Sequence, residues 1–205
     1  MFYDPRVDLR PAPLTHNPVN ALVAPRPIGW IGSTSAAGIK NLAPFSYFNL
    51  FSADPPVVGF APNERREGGS KDSLANVREV PEFTANIVSA PLAQQMNATS
   101  AELAADADEF ALCGLTAAES RHVRAPHVAE ALAVLECRVH DIIALPRREG
   151  GRSSHLVLGE VIGIHIDDAL IDNGRVDVKR LQPVARLGYF DYCTVADTFE
   201  MQRPD

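Results

Sequence analysis

The sequence predicts a mainly β protein, an antiparallel barrel with flanking helices, and three observations carry that expectation. Short runs rich in β-branched and aromatic residues recur between turn signals. Residues 134–142, "VLECRVHDI", alternate Leu135, Cys137 and Val139 with Glu136, Arg138 and His140, the pattern of a half-buried strand with one wet face. Residues 154–167, "SHLVLGEVIGIHID", are apolar on both faces and carry Gly159 and Gly163, which favour bulges and curvature. Curved antiparallel strands that avoid free edges close into a barrel.

The elements follow in order. Residues 21–34, "ALVAPRPIGWIGST", read as a strand with an irregular entry, because prolines are tolerated at strand starts and bulges but not mid-sheet. "SAAG" at 35–38 turns the chain into residues 41–56, "NLAPFSYFNLFSADPP", where Phe45, Tyr47, Phe48 and Phe51 give strand propensity while Ser46, Asn49 and Ser52 are threaded among them. After Pro55-Pro56, "VVGFAP" is a third strand, and close succession with tight turns implies antiparallel pairing. Gly68 and Gly69 then release the chain. Ser70 is suited to cap a short helix over 71–79, "KDSLANVRE", which must stop by Val80 because Pro81 disfavours helix before it. Residues 82–90 are a strand, and 91–104 begin with proline in a first turn and read as a second helix. Residues 105–131 are irregular. Behind the two long strands, residues 168–177 hold an Asn-Gly turn, and the tail "LGYFDYCTVADTF" is aromatic.

With 205 residues, 46% hydrophobic and 22% charged, the chain is read as one domain, 1–205, with an N-terminal arm at 1–20 and a tail at 187–205. A formal net charge of −7 argues against a non-specific nucleic-acid binder. No apolar run suits a membrane span or a secretion signal, so a cytoplasmic protein is expected. Cys113, Cys137 and Cys193 are odd in number and far apart, which suggests inert thiols rather than disulfides or a metal site. His122 and His127 are expected in a surface loop, and His155 and His165 as structural histidines on a strand.

Two stretches carry chemistry. "GGSKDS" sets Ser70, Lys71 and Ser73 at a helix start, where free N–H groups and the helix dipole favour an anion. The plainer alternative is a solvated helix face. Residues 41–56 suit a ligand that combines a flat, partly apolar ring with a polar edge. Together the two fit flavin mononucleotide (FMN), whose polar ring atoms Ser46 and Asn49 can reach. No G-x-G-x-x-G, Walker or G-x-S-x-G motif occurs.

In order along the chain, "RPIGWIGST", "NLAPFSYFN", "DPPVVGF", "KDSLANVRE", "EFTANIV", "MNATS" and "RLGYFDY" resemble the flavin reductase-like proteins, from about Pro25 to Tyr192. That resemblance implies an FMN-binding split β-barrel and a homodimer with flavin near the subunit interface. It also implies a flavin ring against Ser46, Tyr47, Phe48 and Asn49 and a phosphate near Lys71 and Ser73, with Arg26, Trp30, Ser33 and Thr34 lining the approach and Asn97, Ser100 and Arg186 as further candidates. Ser73 stands where the family's helix start has threonine and keeps the hydroxyl. Trp30 suits either a stack on flavin or a core anchor, and Arg186 either the flavin or an ion pair with Asp191; Met96 reads as core. The implied activity is hydride transfer from NAD(P)H to FMN, with FAD admissible and NAD(P)H a transient co-substrate. Reduced flavin then either serves a partner monooxygenase or stays bound. The rival readings are a flavoenzyme acting directly on an organic substrate and a non-enzymatic FMN electron carrier.

Overall fold

The computed structural model describes residues 1–205 except Asp8, Leu9, Arg66, Glu67, Glu102, Ala105, Asp106 and Asp205. Its centre is a seven-stranded sheet. In chain order the strands are β1 (Gly29–Thr34), β2 (Lys40–Phe45), β3 (Phe48–Ala53), β4 (Pro56–Phe60), β5 (Glu82–Ile87), β6 (Ala133–Ala144) and β7 (His155–Ile166). The order across the sheet is β2-β1-β5-β6-β7-β4-β3, and every neighbouring pair is antiparallel.

β2 and β3 are therefore the two edges of the sheet although only Ser46 and Tyr47 separate them in sequence. The three residue steps from Phe45 to Phe48 span at most about 11 Å, so the sheet has to curl until its edges come close. On β1, next to the edge strand β2, Gly29 faces Phe48 of the other edge across the curl: a Cβ there would lie 2.5 Å from Cδ2 of Phe48. The stretch 41–56, read from sequence as one strand, is thus two strands hinged at a bend. Periodicity could not show this, because the apolar and aromatic residues continue through the bend.

β6 and β7 carry the curvature. Their register shifts between Leu158 and Gly159 and again between Val161 and Gly163, so both glycines sit at irregularities as expected. At Gly159 a Cβ would lie 2.4 Å from Cε1 of Phe83. Inside the curl, Phe60 packs on Phe45 (centroids 5.0 Å) and edge-on to Phe83 (5.2 Å), among Ile31, Val157 and Cys137. Such aromatic pairs contribute about 0.5–1.5 kcal/mol each beyond their buried area.

The helices differ from expectation at their ends. α1 (Asp72–Glu79) places Leu74 and Val77 in the barrel core, and its N-cap position is Lys71 rather than Ser70. The second helix is shorter than predicted: a 3-10 turn, Ala90–Leu92, leads into α2 (Ala93–Ala98). Residues 21–23 are not extended but close a helical turn, Val19–Leu22, with strand structure starting at Arg26–Pro27. That short piece pairs with Val184–Arg186, which pairs in turn with Tyr192–Thr194. The middle region holds a helical turn, Glu109–Leu112, and a small strand pair of Ala117–Ala118 with His127–Val128. The expectations that fall on Glu102, Ala105 and Asp106 lie outside the described residues.

Outside the barrel a second core gathers Trp30, Leu42, Met96, Phe110, Val128 and Val184, so α2 and the middle region cover the outer face of β1 and β2. β1 alternates between the two cores, which is why all six of its residues are buried. Met96 is core, and the three cysteines are free thiols. Among the described residues no helix is long and apolar enough to cross a membrane.

Candidate functional site

The start of α1 is fixed by a buried polar knot. Ser33 Oγ on β1 accepts from Asn41 Nδ2 (3.3 Å) and Asn76 Nδ2 (3.1 Å), and Asn41 Nδ2 also donates to Ser73 Oγ (3.0 Å). Buried polar groups paired this fully lock their elements in place. Lys71 at the cap has extended backbone and no side-chain cap bond, so the first amides of α1 keep their donor capacity. Lys71 Nζ lies 5.6 Å from the centroid of Phe45, and Arg65 pairs with Asp72. These residues line a cleft of about 50 Å³ with Pro44, Thr99, Ser100 and Glu109. Glu109 is 6% exposed and accepts the edge N–H of Leu42 (3.1 Å); burial pushes its carboxyl above the ordinary value.

The chain leaves this cleft along β2 and enters the bend. Phe45 and Phe48 are buried on either side of it, Ser46 is half-buried, and Tyr47 and Asn49 face solvent. Tyr47 is held at both ends: its carbonyl accepts from Ala61 N (2.8 Å), and its hydroxyl donates to Asn20 Oδ1 (3.0 Å). Beside it lies Arg26, 8% exposed, with its guanidinium carbon 5.9 Å from the Tyr47 ring centroid. The guanidinium donates to the carbonyls of Asn20, Val23 and Leu187, and its Nε has no partner among the described residues.

Arg186 and Asn97 sit elsewhere, in a separate cavity beside α2. Arg186 does not pair with Asp191. It donates to the Tyr192 hydroxyl and the Tyr189 carbonyl and stacks on Tyr192 at 4.4 Å.

The predicted site residues therefore divide. Lys71, Ser73 and Ser100 share the cleft, and Ser46, Tyr47, Phe48 and Asn49 form the adjoining bend. Trp30 is fully buried with its Nε1 donating to Thr99 Oγ1 (2.9 Å), so it is a core residue and does not line an approach. Ser33 is equally buried and acts through Asn41 and Asn76; Thr34 is 7% exposed and donates to the Ile39 carbonyl (3.3 Å). Arg26 braces the N-terminal turn. Of the histidines, His122 is exposed, whereas His127 is half-buried in a short strand and stacks on His165 at 4.8 Å. His165 bonds Glu136, and His155 lies 3.0 Å from Arg78. Sequence reasoning missed Asn41, Pro44, Arg65, Thr99 and Glu109. Asn41 and Pro44 lie within the quoted stretch, but Glu109 sat in the irregular middle with no local signal.

A family model described as "Flavin reductase like domain" matches residues 23–190. The chain belongs to the flavin reductase-like family. A protein from Deinococcus radiodurans is 40% identical over 194 residues, covering 90% of this chain and 82% of its own length. Among solved structures, nitrilotriacetate monooxygenase component B from Bacillus cereus superposes with a TM-score of 0.84 at 29% identity, over 94% of this chain and all of the other. The 2-nitrobenzoate 2-nitroreductase of Pseudomonas fluorescens gives 0.79 at 28%, over 91% and 88%. The fold is thus the split barrel of flavin reductases, and membership places this flavin reductase-like protein among flavin-associated proteins of the oxidoreductase type.

Proposed function

We propose that this flavin reductase-like protein binds FMN and accepts hydride on it from NAD(P)H. The observation that carries the reading is the continuity of an anion cleft with a bend of aromatic and small polar residues, joined where Lys71 lies over Phe45. The residues fit the cofactor in kind. Lys71, the first amides of α1 and the polar lining of Ser73 and Ser100 suit a phosphate. Ser46 and Asn49 suit the polar edge of the flavin ring, and the apolar surface between them suits its body. The orphaned Nε of buried Arg26 is a donor held beside Tyr47 and suits a polar or anionic ligand atom there.

When bound, FMN supplies the two-electron chemistry. The chain's part is to hold the phosphate, orient the ring along Ser46–Asn49 and set positive charge near it. FAD is admissible, because the cleft addresses one phosphate and the bend a ring common to both. A homodimer is part of the proposal, its contact drawing on Tyr189 and Phe190, which are 48% and 89% exposed in the single chain. A cytoplasmic reductase passing reduced flavin to a partner monooxygenase is the expected setting, and the likeness to a monooxygenase component supports it. The test is to record the visible spectrum of the purified protein with FMN and follow it under anaerobic conditions as NADH or NADPH is added. Bleaching of the flavin band in a single turnover is expected. A spectrum unchanged by either nucleotide would overturn the hydride-transfer reading.

A further inference from the structure

Residues 119–126 cross the outer face of β5 and β6 without joining the sheet. Their ends are drawn together by the pairing of Ala118 with His127 and by Ser120 Oγ, which donates to the Ala125 carbonyl (2.6 Å). Among the described residues this segment makes no backbone–backbone hydrogen bond to the barrel. It is fastened instead by side chains that rise from the strands. Glu136 on β6 accepts the amides of Arg121 (2.8 Å) and His122 (2.6 Å), Glu82 on β5 accepts the amide of Arg124 (2.9 Å), and Thr84 donates to the Pro126 carbonyl (2.7 Å). Three of these four bonds end on a carboxylate. The segment's buried residues, Val123, Ala125 and Pro126, are all small, and none of residues 119–127 belongs to the barrel core.

A pair of imidazoles adds a second fastening. His165 on β7 bonds Glu136, and His127 at the end of the segment lies over the His165 ring, with centroids 4.8 Å apart and planes tilted by 32°. Two imidazoles this close tolerate one positive charge but not two. The other charged groups around the stack are Arg121, His122 and Arg124 on the segment, and Glu82 with Arg138 opposite it across β5 and β6. We propose that residues 119–127 are an acid-released strap, fastened across β5, β6 and β7 at neutral pH and freed from them in mild acid while the barrel stays folded. Burial and the His165 ring hold His127 below the ordinary histidine value; against the upward push of burial, its three donors hold Glu136 below the ordinary carboxyl value. Both groups take up a proton more readily once the strap has left, so docking is complete above the ordinary histidine value and weakens as pH falls through the folded-state values. Release takes away one wall of a cavity of about 480 Å³ that Ser120, Val123 and Arg124 form with Thr34, Ser35 and Lys40, and it uncovers β1 at Gly32. The strap does not depend on the flavin reading.

Hydrogen exchange of the full-length protein at pH 7 and pH 4.5, read by mass spectrometry as protection factors of peptides, tests the proposal. Peptides from the strap should lose protection about fivefold or more between the two, while those from β5, β6 and β7 keep theirs. His127→Phe keeps a ring for the stack and removes the charge, so the acid loss should shrink by about half or more. Glu136→Gln offers the two amides a single acceptor oxygen, and its strap should exchange faster already at pH 7. The proposal is overturned by strap protection that is equal at the two pH values, or that falls only in step with the barrel strands. An acid loss in His127→Phe as large as in wild type overturns it as well, as does unchanged strap protection in Glu136→Gln. Should Glu136→Gln fail to fold, the comparison of wild type with His127→Phe decides alone.

Discussion

Lys71 and Phe45 meet across the junction of α1 and β2, with the ammonium 5.6 Å from the ring centroid. The contact joins the two stretches that carry the functional reading, and it sets a cation beside uncapped helix amides. Replacing Lys71 with alanine removes one charge-assisted hydrogen bond to a bound phosphate, worth roughly 1.5–3 kcal/mol. FMN affinity should fall about tenfold to a hundredfold, while riboflavin, which lacks the phosphate, should bind as before. Fluorescence titration of both flavins into both proteins measures the contrast. Equal FMN affinity would remove Lys71 from the site.

Gly32 cannot carry a side chain. A Cβ there would lie 2.3 Å from the Pro126 carbonyl and 2.4 Å from Thr84 Oγ1, two atoms hydrogen-bonded to each other at 2.7 Å. Gly32→Ala should cost about 1–3 kcal/mol in urea unfolding. Gly29→Ala should cost less, because the Phe48 ring that it meets can rotate and a backbone carbonyl cannot. The reverse ranking would show that the edge at Phe48 is the more rigid.

Glu136 should stabilise the fold in a pH-dependent way. Full burial pushes its carboxyl up, but the Arg121 amide (2.8 Å), the His165 ring and the His122 amide (2.6 Å) together outweigh burial and hold it below the ordinary value. A folded-state value below the unfolded one adds stability that is present above the unfolded value and lost as pH falls through the folded one. Glu136→Gln should cost about 1.5–3 kcal/mol near neutral pH, and its gap from wild type should narrow in strong acid. Thermal unfolding across pH 3 to 8 checks this, and a constant gap counts against it.

Glu109 should behave oppositely. Burial raises its carboxyl, so the folded state holds the proton better, and that stability is lost as pH rises through the folded value. Glu109→Gln keeps an oxygen to accept the Leu42 N–H and removes the buried charge. The variant should gain stability over wild type as pH rises, and it should bind FMN more tightly at alkaline pH because a negative charge leaves the phosphate cleft. Weaker binding at alkaline pH would show that Glu109 does not face the ligand.

The sequence by itself determined the strands β1, β4, β5, β6 and β7, the helix α1 and the two stretches of chemistry, because these rest on short-range signals. Alternation marked β6, glycines marked the bulges of β7, and the cap signal at Ser70, one residue before the true cap Lys71, marked α1 together with the Pro81 stop. Only the tertiary structure decided that residues 41–56 divide between opposite edges of one sheet, since the pairing of β2 with β1 and of β3 with β4 is a long-range choice that local composition does not encode. It likewise decided which family-like residues are accessible. Trp30 and Ser33 lie beside site residues in sequence, yet β1 is covered on both faces, so their polar atoms bond inward to Thr99, Asn41 and Asn76. Glu109 reaches the cleft only because an edge N–H of β2 requires an acceptor and the chain from the irregular middle supplies one there.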